Sequence, residues 1–580
     1  MNTAIFGAVR LNRLVNRLYE ERDGAGMNAE ETNALEASMH GARAAMEPLA
    51  LAVRYRDAES GEICTEEHDW LEPFSCDALV IESAFDGEVV EVVATVQRAM
   101  RLELARVYLR HAFSSEERVL LNGYQSWTDT VERPAFSRMR GLFGVPQVVM
   151  DRYAIHGGGD YEAVDYTVRR GEMHGFTYAT FRRGEGMVLV GSLDETRGFT
   201  LISTRAARGV VMVETKPPAR DLAVGERLTL LRFAITRGTL DECYDRWFEL
   251  SGISARPVKP LVGYTSWYRH YGDIDEQKLL HDLEGFGRGG DLVPGGYSET
   301  VLPLFQIDDG YSKVGDWLDV DAAKFPNGLA SLAGKIREAG FLPGLWLAPF
   351  VCERDSRLAR ERSDWLLRDE NGNPLRTGPQ WSGGLALDTR NVEVRSYILE
   401  VLATMTEEWG FGLLKADFLY AACMVPHDGL NRGELMVDAL DLLRRGAGDD
   451  TLILGCGVPL GSAFGKVDYC RIGCDVGLDW NDKLHMRMLH RERVSTKNSL
   501  GNTYGRAPLD GRAFGNDPDV FFLRNDVKLL QEQRDELLFA DADCGSVFLT
   551  SDDRAQWTPD MRQRYDEALR VFLERHAQEG

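Results

Sequence analysis

From residue 261 onward, short apolar runs alternate with helix-length segments, and this alternation limits the fold more than any other feature of the chain. The strand candidates are LVGYTSWY, LPLFQIDD, FLPGLWLAP, FGLLKADF, TLILGCGV, VDYCRIG, DVFFLR and a weaker run near VSTKNSLGNTYG. Helical patterns such as LASLAGKIREAG and RSYILEVLATMTEEWG lie between several of them. Eight strands alternating with helices over about 290 residues predict a (β/α)8 TIM barrel. In such a barrel the chemistry sits at the C-terminal ends of the strands. Polar and aromatic residues collect there: Tyr268, Asp308, Asp309, Trp346, Lys415, Asp417, Cys456 and Arg471.

The preceding 200 residues read differently. DALVIESAF, GEVVEVVATVQ, GMVLVGSL, GFTLIST, RGVVMVETK and RLTLLRFAIT are short runs separated by Gly, Asp and Arg-Gly turns. Many short strands with little helix between them predict a β-sandwich. The expected layout is a β-sandwich domain over 1–245 that opens with a helical segment, then a linker over 246–260 carrying Pro257 and Pro260. A catalytic barrel over 261–555 and a short C-terminal helix over 556–580 complete it.

Composition narrows the function classes. The net charge of −24 argues against nucleic-acid and anionic-membrane partners. No apolar run approaches the ~20 residues that cross a bilayer. Arg10, Arg13 and Arg17 interrupt the N-terminus before an apolar core of a secretory signal can form. The nine scattered cysteines, an odd number, read as reduced thiols, and a cytoplasmic location is expected. Cys470 and Cys474 lack a second ligand pair, which argues against zinc. GFGRGG (285–290) follows a helix rather than a strand, so it does not form a phosphate-binding turn. HGGG (156–159) has no G-x-S-x-G partner and reads as a turn, with His156 in a loop.

The chemistry concentrates in two segments. In FGLLKADFLY, Lys415 and Asp417 are two apart on a strand and emerge on one face, so the ammonium is expected to keep the carboxylate ionised. In CRIGCDVGLDW, Arg471 precedes Asp475. Two carboxylates at the mouth of one scaffold is the arrangement that glycoside hydrolysis needs. Taken singly, Asp308-Asp309 reads as a solvated strand end, Trp127 as core, Cys456 as a packed thiol, and Lys415 with Asp417 as a structural ion pair. Their convergence on one predicted face favours a site.

With NGYQSW (122–127), GYTSWY (263–268), FQIDDGY (305–311), GDW (315–317), GLWLAPF (344–350), LLKADFLY (413–420), LILGCG (452–457), RIGCD (471–475) and NDPD (516–519), the chain resembles the short bacterial α-galactosidases of glycoside hydrolase family 36. The resemblance implies a retaining exo-α-galactosidase acting on substrates such as melibiose and raffinose, with no metal or organic cofactor. It implies Asp417 as nucleophile and Asp475 as acid/base, with Lys415 and Arg471 holding the sugar. Asp308 and Asp309 would grip O4 and O6, Trp127 and Trp346 would wall the pocket, Tyr268 would lie beside the nucleophile, and Cys456 near the 2-position. The chain departs from the family pattern at Tyr124 and Cys474. An α-N-acetylgalactosaminidase, a galactosyl transferase of the raffinose-synthase kind and a non-catalytic galactose-binding protein are the alternatives, and assembly into a homo-oligomer stays open.

Overall fold

The computed structural model describes residues 46–70, 74–139, 158–161, 163–293, 299–483 and 491–578. The expected N-terminal helical segment and His156 lie outside these residues.

Two antiparallel sheets form the N-terminal part. The six-stranded one runs in the order Ile63–Asp69, Glu47–Asp57, Met100–Arg110, Val210–Thr215, Thr200–Arg205, Glu172–Phe176. The eight-stranded one includes Leu79–Phe85, Val89–Val96, Arg227–Gly238, Gly186–Ser192 and Tyr178–Arg183 as successive neighbours. Their inner faces share one apolar cluster, with Val53, Leu102 and Val107 from the first sheet and Val92, Phe181 and Ile235 from the second. Alternating inward apolar residues on both sheets are what make this packing stable.

The helix Leu240–Ser251 leaves the second sheet and begins with a reciprocal cap between Thr239 and Glu242. Its buried Trp247 donates to the Ser192 carbonyl at 2.8 Å and packs on Phe464 at 5.8 Å between ring centroids. This one side chain therefore touches both parts of the molecule.

The second part is a parallel sheet: β1 Leu261–Thr265, β2 Leu302–Ile307, β3 Leu342–Leu347, β4 Leu413–Ala416, β5 Leu452–Gly455, β6 Tyr469–Arg471, β7 Gly515–Asp517 with its continuation Val520–Phe521, and β8 Val547–Thr550. From β1 to the first half of β7 each strand pairs in parallel with the next, and β8 pairs with β1. The second half of β7 pairs with β8. The ladder thus returns on itself through a strand interrupted at Pro518 and Asp519, consistent with the expected barrel. Gly263 is required on β1, because a Cβ there would meet the Leu304 carbonyl oxygen at 1.9 Å.

Two expectations are corrected. The weak strand candidate near VSTKNSLGNTYG is the helix Thr496–Arg506, capped by Ser495 onto the Asn498 N–H. Its buried residues Thr496, Ser499, Leu500, Thr503 and Arg506 recur at helical spacing, so burial of one face overrides the β-leaning composition. The eighth strand is instead Val547–Thr550, four fully buried residues in a run too short to carry a period. The last described element is the helix Pro559–Gln578, within the span expected to be helical.

Candidate active site

The C-terminal ends of β2 to β7 deliver Asp308, Asp309, Trp346, Lys415, Asp417, Cys456, Arg471 and Asp519 to one mouth. Most are buried, and their polar atoms are joined in two connected groups.

The first group surrounds Asp417. Its Oδ2 accepts the Trp346 indole N–H at 3.0 Å, and its Oδ1 accepts the Phe418 backbone N–H at 2.8 Å. Phe418 adopts left-handed backbone (φ 54°), a conformation unusual for an L-residue. Burial pushes the Asp417 carboxyl upward; Lys415, the Trp346 N–H and the Cys456 thiol pull it back, while Asp475 adds to the rise. The direct partner of the Lys415 ammonium is Asp308, at 2.8 Å, rather than Asp417. The expected side-by-side pair is therefore a relay in which Lys415 bonds one carboxylate and acts on the other through space. Burial opposes the Lys415 charge, but Asp308, Cys456 and Asp417 together hold it well above the ordinary lysine range.

Asp308 is fixed from every side. Its Oδ2 also accepts from the Gln306 amide at 2.9 Å, its Oδ1 accepts the Asp309 N–H at 2.9 Å, and its own N–H donates to Ser266 Oγ at 2.9 Å. Asp309 is held differently. Its Oδ2 accepts the Trp381 indole N–H at 2.7 Å, and burial together with the neighbouring Asp308 pushes its carboxyl up to about 6, with the indole opposing.

Trp127 reaches this mouth from the N-terminal part on the segment 122–130. Ser126 donates its N–H to the Val458 carbonyl at 2.9 Å and accepts the Gly457 N–H on its Oγ at 2.9 Å. Buried Arg506 crosses beneath, donating to Asn122 Oδ1 at 3.0 Å, to the Gln125 carbonyl at 3.1 Å and to the Ile472 carbonyl at 2.9 Å. So fixed, the Trp127 indole donates to Cys456 Sγ at 3.2 Å and packs on Phe418 at 5.0 Å. Burial, reinforced by the nearby Asp417, pushes the Cys456 thiol well above its ordinary value, so it stays neutral.

The second group surrounds Asp475, whose side chain is 39% exposed at the rim. The buried Arg471 guanidinium bridges Asp475 at 3.1 Å and Asp519 at 3.0 Å. Asp519 also accepts the Val476 N–H at 2.8 Å and the Tyr268 hydroxyl. The Tyr268 hydroxyl, expected beside Asp417, is thus bonded within the group of Asp519, Arg471 and Asp475. Burial raises the Asp519 carboxyl to about 7 against the pull of Arg471, with Asp475 and Asp517 adding to the rise.

Sequence reasoning missed Trp381, Asp519, Ser266 and Gln306. Trp381 lies in a turn with no periodic pattern, and Asp519 was legible only as the last residue of the NDPD motif. Of the two departures, Tyr124 is buried and its hydroxyl accepts from Arg432 at 2.5 Å, away from these carboxylates. Among the described residues, one group of His and carboxylate side chains is close enough to share a cation: His281, Asp282 and Asp553. Arg269 already supplies its positive charge there, at 2.9 Å from Asp553 and 3.7 Å from Asp282.

A parallel barrel whose strand ends gather two carboxylates in unlike surroundings, one sealed and one at the rim, has the layout of a glycoside hydrolase. Comparison with known proteins agrees. Residues 302–429 match the melibiase family model. The α-galactosidase AgaA of Geobacillus stearothermophilus is 28% identical over 155 residues, which cover 25% of this chain and 19% of that protein. A protein of Flavonifractor plautii named as an A type blood α-D-galactosamine galactosaminidase is 28% identical over 184 residues, covering 28% of this chain and 17% of its own. The matched segment thus spans about a fifth of the length of these curated relatives. The solved structure of TtGalA, an α-galactosidase from Thermus thermophilus in complex with p-nitrophenyl α-D-galactopyranoside, superposes with a TM-score of 0.65 at 25% identity and covers 86% of this chain and 95% of that one. The family 36 enzyme AgaA shares the fold, with a TM-score of 0.55 at 14% identity over 90% of this chain and 75% of that one. The resemblance read from the motifs is borne out: in sequence and in fold the chain is similar to α-galactosidases of glycoside hydrolase family 36.

Proposed function

We propose that the protein is a retaining exo-α-galactosidase that removes terminal α-D-galactosyl residues by double displacement. One observation carries this reading: Asp417 is sealed and aimed by two N–H donors, whereas Asp475 stands at the rim on an arginine. A nucleophile needs fixed aim, and an acid/base needs access to the leaving group and to water. Asp417 attacks the anomeric carbon while Asp475 gives its proton to the departing glycosidic oxygen. Water, deprotonated by Asp475, then displaces Asp417 from the glycosyl-enzyme and returns the α configuration. Asp308, Asp309 and Lys415 accept from and donate to the sugar hydroxyls, Trp127 and Trp346 wall the pocket, and Arg471 orients Asp475 with Tyr268 and Asp519 behind it.

An N-acetylgalactosaminidase reading is weighed beside it, since one relative is named for an α-D-galactosamine substrate, a galactose that also departs at the 2-position. The Trp127 indole presses on Cys456, and a Cβ on Gly457 would meet Trp127 Cζ2 at 3.0 Å. If Cys456 lies near the sugar 2-position, the indole packed against it favours a hydroxyl there over an acetamide. We therefore favour the unsubstituted galactoside. The nine free cysteines support a cytoplasmic location. We take 1–245 and 261–555 as the β and catalytic domains. Assaying purified protein on p-nitrophenyl α-galactoside and its N-acetyl analogue tests the reading, and a lack of turnover on the first sinks it.

A further inference from the structure

Three tryptophans reach the mouth, and each directs its indole N–H onto a different acceptor: Trp127 onto Cys456, Trp346 onto Asp417 and Trp381 onto Asp309. An indole N–H is a donor only and carries no titratable charge, so it favours the ionised form of a carboxylate without adding a cation. The two adjacent carboxylates are thereby tuned by different means. Asp308 has an ammonium at 2.8 Å, whereas Asp309 has the Trp381 indole at 2.7 Å.

Trp381 is held where it is by its own turn. It sits between the short strands Arg376–Gly378 and Gly384–Ala386, which pair with each other, while Val351–Glu353, just beyond β3, pairs with the second. Its backbone is left-handed, φ 54°, a conformation that costs an L-residue free energy and persists only where the surroundings impose it. Arg354 donates its N–H to the Gly383 carbonyl at 3.0 Å, Asp355 donates its N–H to Ser382 Oγ at 3.0 Å, and Ser382 donates to Glu353 at 2.9 Å. The ring itself rests on Phe418 at 5.0 Å and faces Trp346 at 6.2 Å. Glycine would suit this backbone better, so the large side chain at Trp381 is retained against local strain.

We propose that Trp381 is a positioning residue for Asp309, aiming its carboxylate at the bound galactose and favouring its charged form. This rests on the reading of the site as a galactoside pocket. Burial and Asp308 push the Asp309 carboxyl up to about 6 with the indole already opposing, so losing the indole bond shifts its charge within a working pH range. The charged and titratable groups around it are Asp308, Glu353, Tyr311 and, through Asp308, Lys415. Among the described residues, the indole is the side chain that pulls Asp309 toward ionisation through a direct bond.

The test is Trp381→Phe, which keeps an aromatic ring and loses the donor, measured by calorimetric titration with D-galactose and by kcat/KM on p-nitrophenyl α-galactoside across pH 4 to 9. Losing a hydrogen bond to a charged acceptor should weaken galactose binding about tenfold at neutral pH. The weakening should appear in KM more than in kcat, and the acid limb of binding should move to higher pH because Asp309 protonates more readily. In an Asp309→Asn background the same change should cost less than about threefold, since the acceptor charge has already gone. Unchanged affinity and pH profile in Trp381→Phe, or an equal loss in both backgrounds, overturns the proposal. Binding is read apart from turnover, so a wild type that binds galactose without hydrolysing galactosides overturns only the hydrolase reading. A wild type that binds no galactose overturns both.

Discussion

Asp308 and Asp309 are adjacent carboxylates, and their surroundings set opposite expectations for stability when each is changed to asparagine. Among the described residues, Asp308 is the carboxylate in direct contact with buried Lys415, at 2.8 Å. Removing one partner of a buried ion pair leaves the other charge uncompensated, at about 3–5 kcal/mol. The amide introduced by Asp308→Asn can still accept from the ammonium, so the lower end applies, about 3 kcal/mol. Melting temperature falls ~2–4 °C per kcal/mol in domains of 150–250 residues and less in longer ones, so Asp308→Asn should lower Tm by about 5 °C.

Asp309 reverses the sign. Its folded pKa is raised from 3.8 to about 6, so between those values the folded protein binds more protons than the unfolded chain. Stability therefore falls as pH rises through that window, and at pH 7 the charge costs the fold about 3 kcal/mol. Asp309→Asn removes that cost while keeping an oxygen for the Trp381 N–H, so its Tm at pH 7 should match or exceed the wild type. At pH 4 the two should converge. Both variants should lose at least roughly 10²-fold in kcat/KM on α-galactosides, because each leaves sugar hydroxyls poorly matched. Thermal melts at pH 4 and 7 alongside kcat/KM decide the matter. An Asp309→Asn variant that loses as much Tm as Asp308→Asn at pH 7 would refute the reasoning.

The other expectations concern the reaction. Asp417→Ala should fold but lose nearly all turnover, and added azide should restore part of it by attacking the anomeric carbon to give the β-galactosyl azide; wild-type rates in this variant would remove Asp417 from the role. Asp475→Ala should cripple release of sugar leaving groups, which need a proton, while activated phenols suffer less in the first step and the glycosyl-enzyme accumulates; pre-steady-state rates that fall equally for both would count against an acid/base. Galactose first released by the wild type should be the α anomer in an NMR time course, and a β product would mean inversion. Tyr268→Phe should leave Asp417 chemistry intact and disturb the Asp519–Arg471–Asp475 side, so its loss should be larger on poor leaving groups than on activated ones; a uniform loss would return Tyr268 to the nucleophile's side.

Much of the barrel was legible because parallel strands buried on both faces read as apolar runs, and because residues at their ends are fixed by strand position alone. Asp308, Trp346, Lys415, Asp417 and Arg471 could be found in this way. Val547–Thr550 could not, since four buried residues carry no period, and Thr496–Arg506 misled because threonines and a preceding valine favour strands locally. What no strand-end argument supplies is the pairing of side chains across elements. Spacing put Lys415 next to Asp417, but the ammonium reaches across to Asp308 on a strand two positions away in the sheet. Tyr268, likewise, has its hydroxyl on Asp519, a partner that strand-end position does not reveal.

The same limit explains why Trp127 could be recognised only through its motif and Trp381 not at all. Both arrive from outside the strand register, one on a loop of the N-terminal part and one in a turn beyond β3, and their indoles end on acceptors far away in sequence. Strand ends in this protein supply the charges, and neutral donors from strands and inserted loops aim them. Neutral donors suit a pocket for an uncharged sugar, because they orient a carboxylate without competing for it as a second cation would. A site built this way should lose specificity, more than fold, when its loop tryptophans change. Of the charged strand-end residues, Asp308 should cost both, because it neutralises Lys415, whereas Asp309 should cost binding alone.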